Sequence, residues 1–192
     1  GGTAHMPNQT DQVVLLAQTE AGYRNLMELI SRSYTMTDPG ESPRVPFEDL
    51  EGRSEGLIAL TGGPAGKVGR LLLESRPEEA ETALLDLKAL FGDRLYVEIQ
   101  RHFQDAERRS EAGFLDLAYK HDIPLVATNE CYFATEEMYE AHDALLCIAE
   151  RTTIGNSNRR RVTPHHRFKS AEEMRELFSD LPEAVDNTLV IA

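Results

Sequence analysis

The chain has 192 residues, a formal net charge of −13, and 41% hydrophobic and 28% charged residues. That is room for one ordinary domain, with the composition of a globular fold rather than of a disordered tail. The carboxylate excess argues against a module that grips nucleic acid by itself, since such affinity comes largely from Lys and Arg neutralising phosphates. Uninterrupted apolar runs such as Val13 to Ala17 fall far short of the ~20 residues that cross a bilayer. No charged-then-apolar leader stands at the N-terminus, so nothing points to export. Cys131 and Cys147 are the only two cysteines, and their spacing matches neither a disulfide framework nor a zinc ribbon. A reducing cytoplasm is the expected compartment.

Residues 1–11, opening Gly1-Gly2-Thr3-Ala4-His5-Met6, carry no periodicity and read as a tag or a disordered loop outside the fold. Val13 to Ala17 is a short apolar run with β-branched members, the pattern of a buried strand. A helix is predicted from about Glu20, with Tyr23, Leu26, Met27, Ile30 and Tyr34 on one face at a spacing of three to four. Thr35 to Gly56, with Pro39, Gly40, Pro43 and Pro46, is a long loop. Leu57 to Leu60 is the second strand, followed by Thr61-Gly62-Gly63 and a helix from about Gly66 to Glu74. Pro77 opens another helix with Ala80, Leu84, Leu87 and Leu90 inward, and Gly92 closes it. Leu95 to Ile99 is the third strand, Ala106 to His121 a helix, and Pro124 to Ala127 the fourth strand. Thr135 is placed to cap a helix from Glu136 to about Glu150, with Tyr139, His142, Leu146 and Ala149 along one side. Arg151 to Lys169 is a polar, basic loop. Ser170 and Glu173 form a capping box for a helix through Phe178, and Pro182 starts a last helix.

Strand and helix in alternation imply an α/β fold with parallel strands. Four strands are too few for a closed barrel, which suggests a fold whose first part is missing. An incomplete barrel of that kind would expose a sheet edge and apolar surface able to recruit another chain.

In parallel α/β folds, functional residues gather where strands end. After Leu60, Thr61 to Gly69 resembles a phosphate-binding loop but departs from it. Gly62 to Gly66 leaves three intervening residues instead of four, and Val68 stands where a hydroxyl belongs. A tight strand-to-helix turn is the simpler reading. After Ile99 comes His102, either a hydrogen-bonded residue or a metal ligand. After Thr128 come Glu130, a possible carboxylate ligand, and Cys131, a possible soft one. His102 and Glu130 would face the same rim as Gly62 if their strands were parallel neighbours, but a catalytic metal usually takes at least three protein donors. His121 and His142 read as structural. His165 and His166, beside Arg159, Arg160, Arg161 and Arg167, read as a solvated face, or alternatively as a contact for a partner or nucleic acid.

These segments resemble the PHP (polymerase and histidinol phosphatase) domain of bacterial DNA polymerase III alpha subunits. The likeness lies in Val14 to Ala17 with Gly22 to Leu26 and Leu29 to Arg32, in Gly56 to Gly63 with Gly69-Arg70, and in Tyr96 to Gln100. It continues through Leu125 to Glu130, Ala141 to Leu146, Phe168 to Met174 and Leu181 to Thr188, in unbroken order from about residue 12 to 192. Asn129-Glu130 and Ala141-His142-Asp143 are most similar to the alphaproteobacterial versions.

The resemblance implies that residues 12–192 are the C-terminal part of a distorted seven-stranded βα barrel, similar to a TIM barrel. Its metal site would lie at the strand C-terminal ends. Intact members bind up to three metals, zinc or manganese, through nine residues that begin with a His-x-His motif absent here. Carried over by resemblance, His102 matches a ligand position, and Glu130 stands where the pattern has Asp. Tyr132 and Gln12 stand where it has His, and a phenol is a poor ligand for such metals. A degenerate site that holds no metal in this fragment is therefore expected. The resemblance further implies a parent DNA-directed DNA polymerase using magnesium for nucleotidyl transfer at residues outside this chain. This piece would then be inactive alone, serving as scaffold for the rest of the alpha subunit and for a proofreading exonuclease (epsilon) subunit. DNA would be reached through the parent, with no membrane involved. The alternative is a metal-dependent PHP phosphoesterase or 3′–5′ exonuclease.

Overall fold

Side chains alternate across a strand, and the three central strands sort their residues accordingly. Leu57 and Ala59 of β2 (Leu57–Leu60), Leu95, Val97 and Ile99 of β3 (Leu95–Gln100), and Leu125 and Ala127 of β4 (Leu125–Thr128) enter the main core. Ile58, Leu60, Tyr96 and Val126 point the other way and form a second, smaller cluster with Ile191. Strands buried on both faces are the mark of a parallel sheet covered by helices. This computed structural model describes residues 10–192, so most of the stretch read as a tag or loop lies outside the described residues.

The remaining elements are β1 (Val14–Ala17), α1 (Glu20–Thr35), α2 (Lys67–Leu73), α3 (Pro77–Phe91), α4 (Asp105–Lys120), α5 (Tyr139–Ala149), α6 (Ala171–Leu177) and α7 (Pro182–Ile191). Leu84 and Phe91 of α3, Phe114 of α4, and Ala184 with Val185 of α7 pack into the main core. No helix among the described residues is long and apolar enough to cross a membrane.

The sheet order is β1-β2-β3-β4. Strands β2, β3 and β4 are parallel as expected, but β1 pairs antiparallel with β2, Val14 opposite Leu60 and Ala17 opposite Leu57. The expectation of four parallel strands is corrected to three plus an antiparallel edge. The long loop explains the reversal, because it runs back along α1 instead of crossing the sheet. Arg32 makes a two-pronged bond to Asp49, Arg53 bonds Glu28, and Asn25 donates to the Glu55 carbonyl. The chain therefore re-enters the sheet beside the point where it left, and Gln18 N–H donates to the Gly56 carbonyl at 2.8 Å.

The face of α1 is also corrected. Tyr23, Met27, Ile30 and Tyr34 are exposed, and Gly22 and Leu29 are the buried residues. Gly22 lets the helix lie against the backbone of Gly56: a Cβ there would stand 1.9 Å from the Gly56 oxygen. Helix α5 likewise turns Asp143 and Cys147 inward, while Leu146 and His142 are half-buried and Ala149 is exposed.

Candidate functional site at the strand C-terminal rim

The parallel strands bring Gly62, His102 and Glu130 to one rim, as the sequence implied. Thr61 is buried there and ties the tips of β2 and β3 by accepting the Glu98 N–H at 3.0 Å. The glycine turn after β2 is occupied by the protein's own backbone. Gln12 N–H donates to the Ala65 carbonyl, and a Cβ on Gly62 would stand 2.4 Å from the Gln12 oxygen. This turn holds residue 12 in place, and its glycines serve that close backbone approach.

His102 is fully buried, and its ring is oriented through Nδ1. Nδ1 donates to Glu107 Oε1 at 2.7 Å, and Nε2 stands 3.2 Å from Asn129 Oδ1. The other Glu107 oxygen accepts the backbone N–H groups of His102 and Gln104, at 2.7 and 3.0 Å. Gln104 and Glu107 form the capping box that starts α4, so the carboxylate that orients His102 is also the one that begins the helix. Sequence reasoning passed over Glu107. The signal was there, an amide residue followed three positions later by Glu at a strand-to-helix junction.

His166 is the larger correction, since it is buried rather than solvated. Its ring stacks on His102 with centroids 4.0 Å apart, and Tyr132 stacks beyond it at 5.7 Å. Tyr132 also stacks on His142 at 5.4 Å. The Thr163 N–H donates to His166 Nδ1, and burial together with the neighbouring His102 lowers the His166 pKa to about 4. Nor is Arg159 solvated: its side chain is 1% exposed and forms a two-pronged bond to Asp143, both contacts 2.6 Å. Desolvation makes stacked rings and paired charges favourable only where partners meet them, which sequence spacing did not disclose.

Glu130 is exposed at the outer end of this column, where the Tyr132 hydroxyl donates to it. Glu98 lies inside the rim with one oxygen accepting from Thr128 Oγ1 at 2.5 Å and the other without a partner. Burial raises its carboxyl above the usual range. A charged residue in an otherwise apolar strand was the signal for it.

The donors do not fit a metal. His102 Nε2 faces the Asn129 amide oxygen, His166 Nδ1 accepts from Thr163, and Glu130, exposed, is held by Tyr132. The Lys169 ammonium also projects into the rim, bonding Asn129 Oδ1 at 2.8 Å. Among the described residues, no group of three or more His, Cys, Asp or Glu is disposed to hold a metal ion.

A sheet of parallel strands with His and Glu at its C-terminal rim is the frame of a known family, and the chain belongs to it: the PHP domain model matches residues 3–102. Along its length the chain is similar to proteins named DNA polymerase III subunit alpha. It is 50% identical over 192 residues to the one from Caulobacter vibrioides, covering all of this chain and 17% of that protein. The Rickettsia bellii protein is 42% identical over 178 residues, and the Pseudomonas aeruginosa protein 38% over 179, each covering 93% of this chain and 15% of the relative. The chain thus spans about a sixth of the length of the relatives it matches.

Proposed function

We propose that this chain is part of the PHP domain of a replicative DNA polymerase III alpha subunit and acts there as a scaffold rather than as an enzyme. The carrying observation is 50% identity over all 192 residues to the Caulobacter vibrioides protein of that name. On this reading the parent is a DNA-directed DNA polymerase of the cytoplasm, with magnesium held by carboxylates elsewhere in the polypeptide. Those ions supply charge stabilisation for nucleotidyl transfer. The net charge of −13 agrees with DNA being held by other parts of the parent. The rim's role is then to hold a rigid surface for the rest of the alpha subunit and for a proofreading exonuclease subunit.

The second reading, a metal-dependent phosphoesterase or 3′–5′ exonuclease, is disfavoured by Lys169 inside the rim and by the want, among the described residues, of three gathered donors. The test is a chimera in which this chain replaces the matching segment of the Caulobacter alpha subunit. The chimera is expected to extend primers and to retain the exonuclease subunit on a sizing column. Loss of either, with the chimera folded, would count against the proposal. Manganese-dependent hydrolysis of a nitrophenyl phosphodiester by this chain, abolished in His102→Ala, would favour the enzyme instead.

A further inference from the structure

The misfit between the rim and a metal has a positive counterpart. After β4 the chain runs out along Cys131 to Phe133 and returns much later as Thr163 to Lys169. The two stretches pair in parallel: Tyr132 N–H donates to the His166 carbonyl, and Phe168 N–H to the Phe133 carbonyl, both at 2.9 Å. Nothing in a short outlying ladder of this kind fixes it to the sheet by itself. Beside the stack of His166 on His102, three side-chain links do. Thr163 Oγ1 donates to the His102 carbonyl at 2.7 Å, Asn129 Nδ2 donates to the Arg167 carbonyl at 3.0 Å, and Lys169 Nζ donates to both Asn129 Oδ1 and the His165 carbonyl.

Of these links, the lysine alone carries a charge. Asn129 Oδ1 and the His165 carbonyl are neutral oxygens of the type a hard cation would collect, and one ammonium holds both. We propose that Lys169 serves as an internal cation at this rim, cross-linking the tip of β4 to the returning segment as a bound metal would. The rim is therefore ordered without metal. Lys169 is half-buried, so its ammonium is held partly out of water by these two oxygens. Its charge also repels a divalent ion from the space between Asn129 and His102. The inference rests on these contacts and does not depend on the polymerase reading.

The test is hydrogen exchange on the full chain, read at the amides of Tyr132 and Phe168, with Val97 in the sheet as the control. In the wild type, chelation with EDTA or addition of manganese should leave all three amides unchanged. Lys169→Met keeps the stem and removes the charge. It should speed exchange at Tyr132 and Phe168 by about tenfold or more, with Val97 unaffected. Lys169→Arg, which restores a cation, should return both amides to near wild-type protection. The proposal is overturned if EDTA loosens the wild-type segment, if Lys169→Met leaves it protected, or if Lys169→Arg is as loose as Lys169→Met. Should Lys169→Met fail to fold, the EDTA and Lys169→Arg arms decide alone.

Discussion

The two flanks of the sheet solve opposite problems. At the β4 flank polar and charged groups are buried, and most meet a partner: His102 with Glu107, Arg159 with Asp143, Lys169 with Asn129. At the β1 flank apolar groups face outward, Val14 and Leu16 on the edge strand and Tyr23, Met27, Ile30 and Tyr34 along α1. The difference teaches that residue type does not decide burial here. What decides it is whether a neighbouring element arrives with matching chemistry, be it a carboxylate for an imidazole or a glycine that permits close backbone approach.

The contrast can be broken most forcefully in the core that both flanks share. Phe114→Ala empties a site that is 2% exposed and should cost about 3–5 kcal/mol in urea unfolding. A smaller loss would mean that α4 can collapse onto α2. Next, Glu107→Ala removes the acceptor of three N–H groups and should destabilise by about 2–3 kcal/mol. It should also disturb the aromatic ring signals of His166 and Tyr132, because the ring they stack upon loses its anchor. Unchanged ring signals in a folded Glu107→Ala would uncouple the stack from the carboxylate.

Glu98 gives a pH test of the same flank. A carboxyl raised on folding binds its proton more tightly in the native state, so stability is lost as pH climbs from 4.5 through the raised value. Glu98→Gln has no such dependence. Its melting temperature relative to wild type should rise as pH climbs above the ordinary carboxylate range, and a constant difference would show that Glu98 is not desolvated. The smallest effect belongs to the other flank: Ile30→Ser, at an exposed position, should stay within about 0.5 kcal/mol of wild type by urea unfolding. A large loss would mean that this face of α1 is covered after all.

Strands β2, β3 and β4 were legible because each is a short apolar run ended by turn residues, and a strand's end announces where chemistry can gather. His102, Glu130 and Gly62 followed from that rule alone. The direction of β1 was not legible, since it depends on Arg32 meeting Asp49 and Arg53 meeting Glu28, contacts between segments with no common periodicity. The same holds for His166, whose polar, basic neighbourhood reads as solvent-facing until His102 is laid against it. Lys169 was missed for a related reason, since a cross-link is defined by the groups that receive it, whereas the capping pattern of Gln104 and Glu107 was there to be read.

Arg101 carries a consequence for how the protein is made. It bonds the Leu177 carbonyl and Asp180, 76 and 79 residues downstream, and lies over the Phe178 ring at 4.7 Å. A ribosome adding about 5–20 residues per second leaves Arg101 waiting roughly 4–16 s for those partners. During that interval β3 and α4 can already pair with the elements before them, while Arg101, His102 and Asn129 have yet to meet the segment from Thr163 to Asp180. Within this stretch the rim is thus assembled after the sheet. Until the segment from Thr163 to Asp180 emerges, its imidazole, carboxylate and guanidinium groups stand open to solvent and to whatever escorts a growing polypeptide.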